Sequence, residues 1–241
     1  ARPSVVPLFG ETDPHPDSWP SWNRDQEESL RTALGALATH PNPGDRVKDL
    51  AAAHAAREDN VWAALGQAPL ARAVGHFAEL ADRAATAKPA TDLKAQVAWY
   101  GDEGHMIDDL ALRAIAVAKT AQDRAAVATA LGALYDPWVD ESARAFQKAA
   151  VSNYHGRTGL DIGAGTAVVY VDALRFDLAI RVARRLSPLD ATVETRLAAF
   201  PSVTPTGQPA VAPIAITVGG GTAFDAADDQ GRSLKGAVLR S

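Results

Sequence analysis

The chain has 241 residues, is 47% hydrophobic, carries a formal charge of -5 and contains no cysteine. Disulfides, thiolate catalysis and cysteine-built zinc sites are thereby excluded, and the scattered basic residues leave no electrostatic footprint for unaided nucleic-acid binding. The length allows one large or two smaller domains with a proper core, no apolar run approaches the ~20 residues of a membrane span, and the lack of cysteine fits a reducing cytoplasm.

Residues 1–23 are rich in Pro, Asp, Ser and Trp, as in Pro14-His-Pro-Asp-Ser-Trp-Pro-Ser-Trp22. Prolines at this density predict an extended arm, with Trp19 and Trp22 packing on the body and His15 at the surface. Residues 24–155 then read as an all-helical domain. Apolar spacing places helices over 25–39 (Leu30, Leu34, Leu37 inward), 45–57 (Val47, Leu50, Ala51, His54), 61–65 and 70–87 (Val74, Phe77, Leu80, Ala81, Ala84). Pro41-Asn-Pro-Gly44, Gly66 with Pro69, and Lys88-Pro89 punctuate them. His54 is expected at a helix surface or interface. Further helices are predicted toward Gly101, over 106–118, 123–134 and 137–150, with Pro137 at a first-turn position. The crowded Asp102, Glu103, His105, Asp108 and Asp109 read as a solvated turn and helix cap. A metal site is the alternative, but the spacing matches neither a zinc-protease helix nor a calcium loop.

Glycines 156, 159, 163 and 165 mark a domain boundary. Gly163-Ala-Gly165 precedes an apolar run, which is the wrong order for a phosphate cradle. Next comes Val168-Val-Tyr-Val-Asp-Ala-Leu-Arg-Phe-Asp177, read as a short buried strand leading into a helix over 174–186. Asp172 then stands at the carboxyl end of that strand, where open α/β sheets place ligand-binding residues. A second strand is predicted over 191–198, followed by a Ser/Thr-rich loop at 202–207. A right-handed crossover would put this loop and Asp172 at one edge of the sheet. Unpaired backbone N–H groups there favour an anion, and a divalent cation held by Asp172 would activate the Thr204 hydroxyl.

Val168-Val-Tyr-Val-Asp-Ala-Leu-Arg-Phe-Asp-Leu-Ala179, taken with Phe200-Pro-Ser-Val-Thr-Pro-Thr-Gly-Gln-Pro-Ala-Val-Ala-Pro213, resembles the PglZ domain, a branch of the alkaline-phosphatase superfamily found in bacterial phage-exclusion defence systems. The likeness covers roughly the last third of the chain; the helical part resembles, more loosely, the region preceding that domain. It implies an alkaline-phosphatase-like α/β domain beginning at 156 and incomplete at 241, after an all-α region. It also implies a metal-dependent phosphatase or phosphodiesterase with a two-metal site, most naturally zinc. Asp172 would be a metal ligand and Thr204 the metal-bound nucleophile. Arg175 fits an Asp-x-x-Arg signature, either anchoring the loop or binding an anion, and Asp229-Gln-Gly-Arg-Ser-Leu-Lys-Gly236 matches an insertion after the nucleophile helix. Implied partners are a DNA methyltransferase, an ATPase and a small PglZ-associated protein, all in the cytoplasm.

The sequence departs from that family in its ligands. After Thr204 there is no histidine, and the acids are Asp225, Asp228 and Asp229. Other ligands are expected beyond Ser241, and the missing initiator methionine and abrupt end suggest an excerpt of a longer protein. The alternative is a catalytically silent protein-interaction scaffold of the same complex.

Overall fold

The computed structural model describes residues 19–150, 165–167, 169, 171–186, 192–195, 197–198, 219–220 and 226–227. Helix α1 (Pro20–Gly35) starts within the segment expected to be an extended arm, with proline in its first turn. Proline is tolerated there because that N–H has no intrahelical acceptor to lose. The same device opens α2 (Pro43–His54) and α4 (Pro69–Thr86). Between them, Asn60 caps the short α3 (Val61–Ala64), its side chain accepting from the Ala63 N–H at 3.0 Å. Asp92 caps α5 (Leu93–Trp99) in the same way through the Ala95 N–H. Helix α7 (Ala121–Leu134) opens on a reciprocal capping box between Thr120 and Asp123, which satisfies two backbone donors at once. Helix α6 (His105–Val117) precedes it, and α8 (Asp136–Ala150) and α9 (Phe176–Leu186) follow.

The segment read as a solvated turn before α6 is instead a π-helical stretch, Tyr100–Gly104, running directly from α5 into α6. Paired glycines suggest a break to sequence rules. Here strong helix formers on both sides keep the chain coiled, and one wider turn absorbs the mismatch.

The chain divides into two compact units: Ala1–Pro89 with Asp102–Ala145, and Ala90–Gly101 with Phe146–Ser241. In the first, α4 is the central element, packing against α2 and α6 and also meeting α1 and α7. Its residues Leu70, Val74, Phe77 and Leu80 are fully buried. They meet the stripes predicted from periodicity, Leu30, Leu34 and Leu37 from the first helical stretch and Val47 and Leu50 from α2, together with Ile107, Leu110 and Val127. In the second unit, the Tyr100 ring lies against the Phe176 ring at 5.8 Å between centroids, joining the end of α5 to the start of α9.

The α/β expectation is corrected. Among the described residues the architecture is helical. The sole β pairing there is a two-residue antiparallel ladder, β1 (Gly219–Gly220) with β2 (Ala226–Ala227). Val169 and Val171 of the expected buried strand have no strand structure and are 83% and 53% exposed. Positions 192–195 and 197–198 of the second expected strand are likewise irregular. A β-branched run favours extended backbone, but a strand persists only where neighbours take up its N–H and C=O groups and cover its side chains. Val169 and Val171 lack that cover. The helix expected after Asp172 is present as α9.

Candidate functional site

Asp172 lies in an exposed turn, not at a sheet edge; its Oδ1 accepts from the N–H of Ala173 at 2.9 Å, and Ala173 has a left-handed φ of 55°. Such a conformation is uncommon outside glycine and asparagine and is characteristic of turns. Arg175 Nε donates to Asp177 Oδ1 at 3.0 Å, and the Asp177 side chain is fully buried in the first turn of α9. Thr204, the proposed nucleophile, lies outside the described residues, as do the rest of the 202–207 loop and the 229–236 segment. The expected meeting of Asp172 with Thr204 therefore lies outside the described residues. Among the described residues, no group of three or more His, Asp or Glu side chains is arranged to hold a metal ion. A two-metal centre needs several ligands around ions a few ångströms apart, and Asp172 is the one expected ligand among the described residues.

The acidic stretch before α6 likewise fails to converge. Asp102 and Glu103 are exposed, Asp109 pairs with Arg113, and the buried Asp108 accepts from the Tyr135 hydroxyl.

What the helices do assemble is a buried polar network that sequence reasoning missed. Asn23 and Glu27 project from α1, His54 ends α2, and Arg57 closes the 3-10 turn Ala55–Arg57; all four are buried. Arg57 Nη2 donates to Glu27 Oε1 at 2.8 Å and to Asn23 Oδ1 at 2.6 Å, while its Nη1 lies 3.1 Å from His54 Nδ1. The second carboxylate oxygen of Glu27 accepts from the Leu70 N–H at 2.7 Å. A carboxylate of α1 thus serves the free N–H groups at the start of α4 (Ala71 adds a weaker bond at 3.3 Å). Asn23 Nδ2 completes the set by donating to the Gln67 carbonyl at 2.7 Å. Burial raises the Glu27 carboxyl above its usual range, against the pull of the Leu70 N–H and of Arg57. Burial, helped by the Arg57 charge, lowers His54 to about 4. The signal for this network was present: Asn23 and Glu27 extend the inward stripe of Leu30 and Leu34 back by two turns, so both polar side chains had to point inward.

The segments that carry this network also expose large apolar side chains. Trp19 is 50% and Trp22 39% exposed, not packed away, and Val61 and Leu65 are 49% and 61% exposed. The tryptophans are three residues apart, Trp19 as the extended residue capping α1 and Trp22 in its first turn. Val61 and Leu65 are joined by the Leu65 N–H to Val61 carbonyl bond of 2.9 Å. The Asn23–Gln67 bond ties the two segments that carry these four side chains. Lys119 stands beside them, its Nζ donating to the Gly66 carbonyl at 3.1 Å.

No described helix is long and apolar enough to cross a membrane. No protein-family model, no curated protein and no solved structure matches the chain. The resemblance to the PglZ domain is therefore withdrawn. Its two motifs imply a sheet, a metal cluster and a family likeness, and the helical fold, the missing cluster among the described residues and the comparisons support none of these. The hydrolase reading, with its zinc-dependent phosphatase or phosphodiesterase activity, falls with it.

Proposed function

We propose that this chain is a non-catalytic helical scaffold that binds another protein through the surface carrying Trp19, Trp22, Val61 and Leu65. The observation that carries this reading is the exposure of those four large apolar side chains on segments locked together by buried hydrogen bonds. Tryptophans that leave half their surface in water gain by docking, and aromatic anchors supply much of the affinity of protein interfaces. A rigid support beneath them reduces the ordering cost of binding. The cytoplasm is the proposed compartment, supported by the absence of cysteine. The methyltransferase, the ATPase and the small associated protein of phage-exclusion systems are the first partners to try.

The test is co-purification of each candidate with the wild-type chain and with a Trp22→Ser/Leu65→Glu variant. Loss of the partner from the variant, with its far-UV circular dichroism unchanged, supports the scaffold. Equal retention by both chains removes this surface from consideration. Zinc- or manganese-dependent hydrolysis of an aryl phosphodiester by the purified chain, abolished by Asp172→Ala, would contradict the non-catalytic reading.

A further inference from the structure

The stretch 55–68, comprising the 3-10 turn, α3 and the loop into α4, is attached in an unusual way. Its large aliphatic side chains, Val61 and Leu65, face water, Ala63 and Ala68 are buried, and Trp62 is half-buried with its indole nitrogen enclosed. Trp62 apart, little apolar area holds it down. Its anchors are polar: Arg57 to Glu27, Asn23 and His54, and the Gln67 carbonyl to Asn23. The same stretch buries three N–H donors that find no acceptor, Arg57 Nε, Asn60 Nδ2 and Trp62 Nε1. Each such donor weakens the closed state, because opening returns it to water.

One anchor has a defined proton requirement. A guanidinium only donates hydrogen bonds, so His54 Nδ1 must be the unprotonated, accepting nitrogen at 3.1 Å from Arg57 Nη1. Protonating that nitrogen removes the acceptor and sets two cations side by side in a buried site. We propose that 55–68 is an acid-released strap, held closed by neutral His54 and opened locally when that ring gains a proton.

The charged groups around His54 leave this assignment standing. Arg57 is the charge that faces it, and Glu27 of α1 is reached through Arg57. On α4, Asp82 is taken by Lys48 of α2, Glu79 is taken by Arg83 of the same helix, and the charges facing His76 are Arg113, Arg72, Glu79 and Asp109. On α7, Asp123 is occupied by Arg31. Glu27 titrates in the opposite sense. Its burial-raised carboxyl binds a proton more readily in the closed form, so its protonation does not drive opening.

The test is hydrogen exchange read by mass spectrometry at pH 7.5 and pH 5.0, corrected for intrinsic rates, on the whole chain and on His54→Gln. Glutamine keeps an acceptor for Arg57 and cannot titrate. The closed-state value of His54, about 4, against about 6.5 when opened, predicts a roughly tenfold or greater loss of protection in peptides covering 58–68 at the lower pH. Peptides from the centres of α4 and α6 keep theirs, and the pH effect vanishes in His54→Gln. If that variant does not fold, His54→Asn takes its place. Protection of 58–68 that is independent of pH in the wild type, equal loss in the non-titrating variant, or simultaneous loss in α4 and α6 overturns the strap.

Discussion

At the scale of single residues, Glu27 and Arg57 carry the largest consequences. Each is buried and each satisfies partners on other elements. Removing one member of such a pair leaves the other charge unpaired in the interior, at a cost of about 3–5 kcal/mol. Glu27→Ala should destabilise the chain by that much in urea unfolding, and also strip the Leu70 N–H of its acceptor. Asp123 is a milder case. Burial works to raise its carboxyl, but hydrogen bonds from Thr120 and Arg31 together hold it below its usual value. Asp123→Ala loses the Thr120 N–H bond that completes the capping box of α7 and the Arg31 pair, for a predicted ~1–2 kcal/mol. His54 sets the pH dependence. Its folded value lies below its unfolded one, so its contribution is complete above about pH 6.5 and declines as pH falls toward 4. By linkage the decline is at most on the order of 3 kcal/mol, and the stability curve of His54→Gln should be flatter across that window. The sequence places His54 on the buried stripe of α2, but its partner Arg57 lies beyond the helix end, where periodicity says nothing.

At the scale of elements, periodicity located the helices of the first unit best where α1, α2, α4, α6 and α7 bury apolar residues at regular spacing. Phe77 in α4 is the clearest example, fully buried at the centre of the first unit. Phe77→Ala should cost about 3–5 kcal/mol by thermal or urea unfolding, through lost transfer energy plus the cavity left behind. The run at 168–171 was misread for the complementary reason. Strand propensity is a statement about side chains and says nothing of whether a neighbouring strand exists to complete the ladder. With Val169 and Val171 exposed, Val169→Thr and Val171→Thr should each change stability by no more than about 0.5 kcal/mol. A buried strand would lose several times that. The expected pairing of Asp172 with Thr204 was argued from a strand that the described residues at 169 and 171 do not form, so the candidate site was less legible than the fold. A carboxylate beside a helix start looks alike in sequence whether it faces a ligand or closes its own turn.

At the scale of the whole molecule, the chain is two compact units in which helices supply the described architecture and a polar network underlies an apolar surface. That surface was hidden from sequence reading because tryptophans near prolines look like packing anchors, and their exposure is set by what lies across from them. The account makes the Trp19, Trp22, Val61 and Leu65 surface the working part of the protein. Lys119 reports on it directly, since its amine sits at the Gly66 carbonyl next to Leu65. Lys88 is held elsewhere, by Glu141. The most direct test is residue-level mapping of a lysine-reactive cross-linker in the complex with a co-purifying partner. Cross-links from the partner to Lys119, lost with Trp22→Ser/Leu65→Glu, are the predicted result; links confined to Lys88 and Lys148, with Lys119 unreacted, would contradict the account.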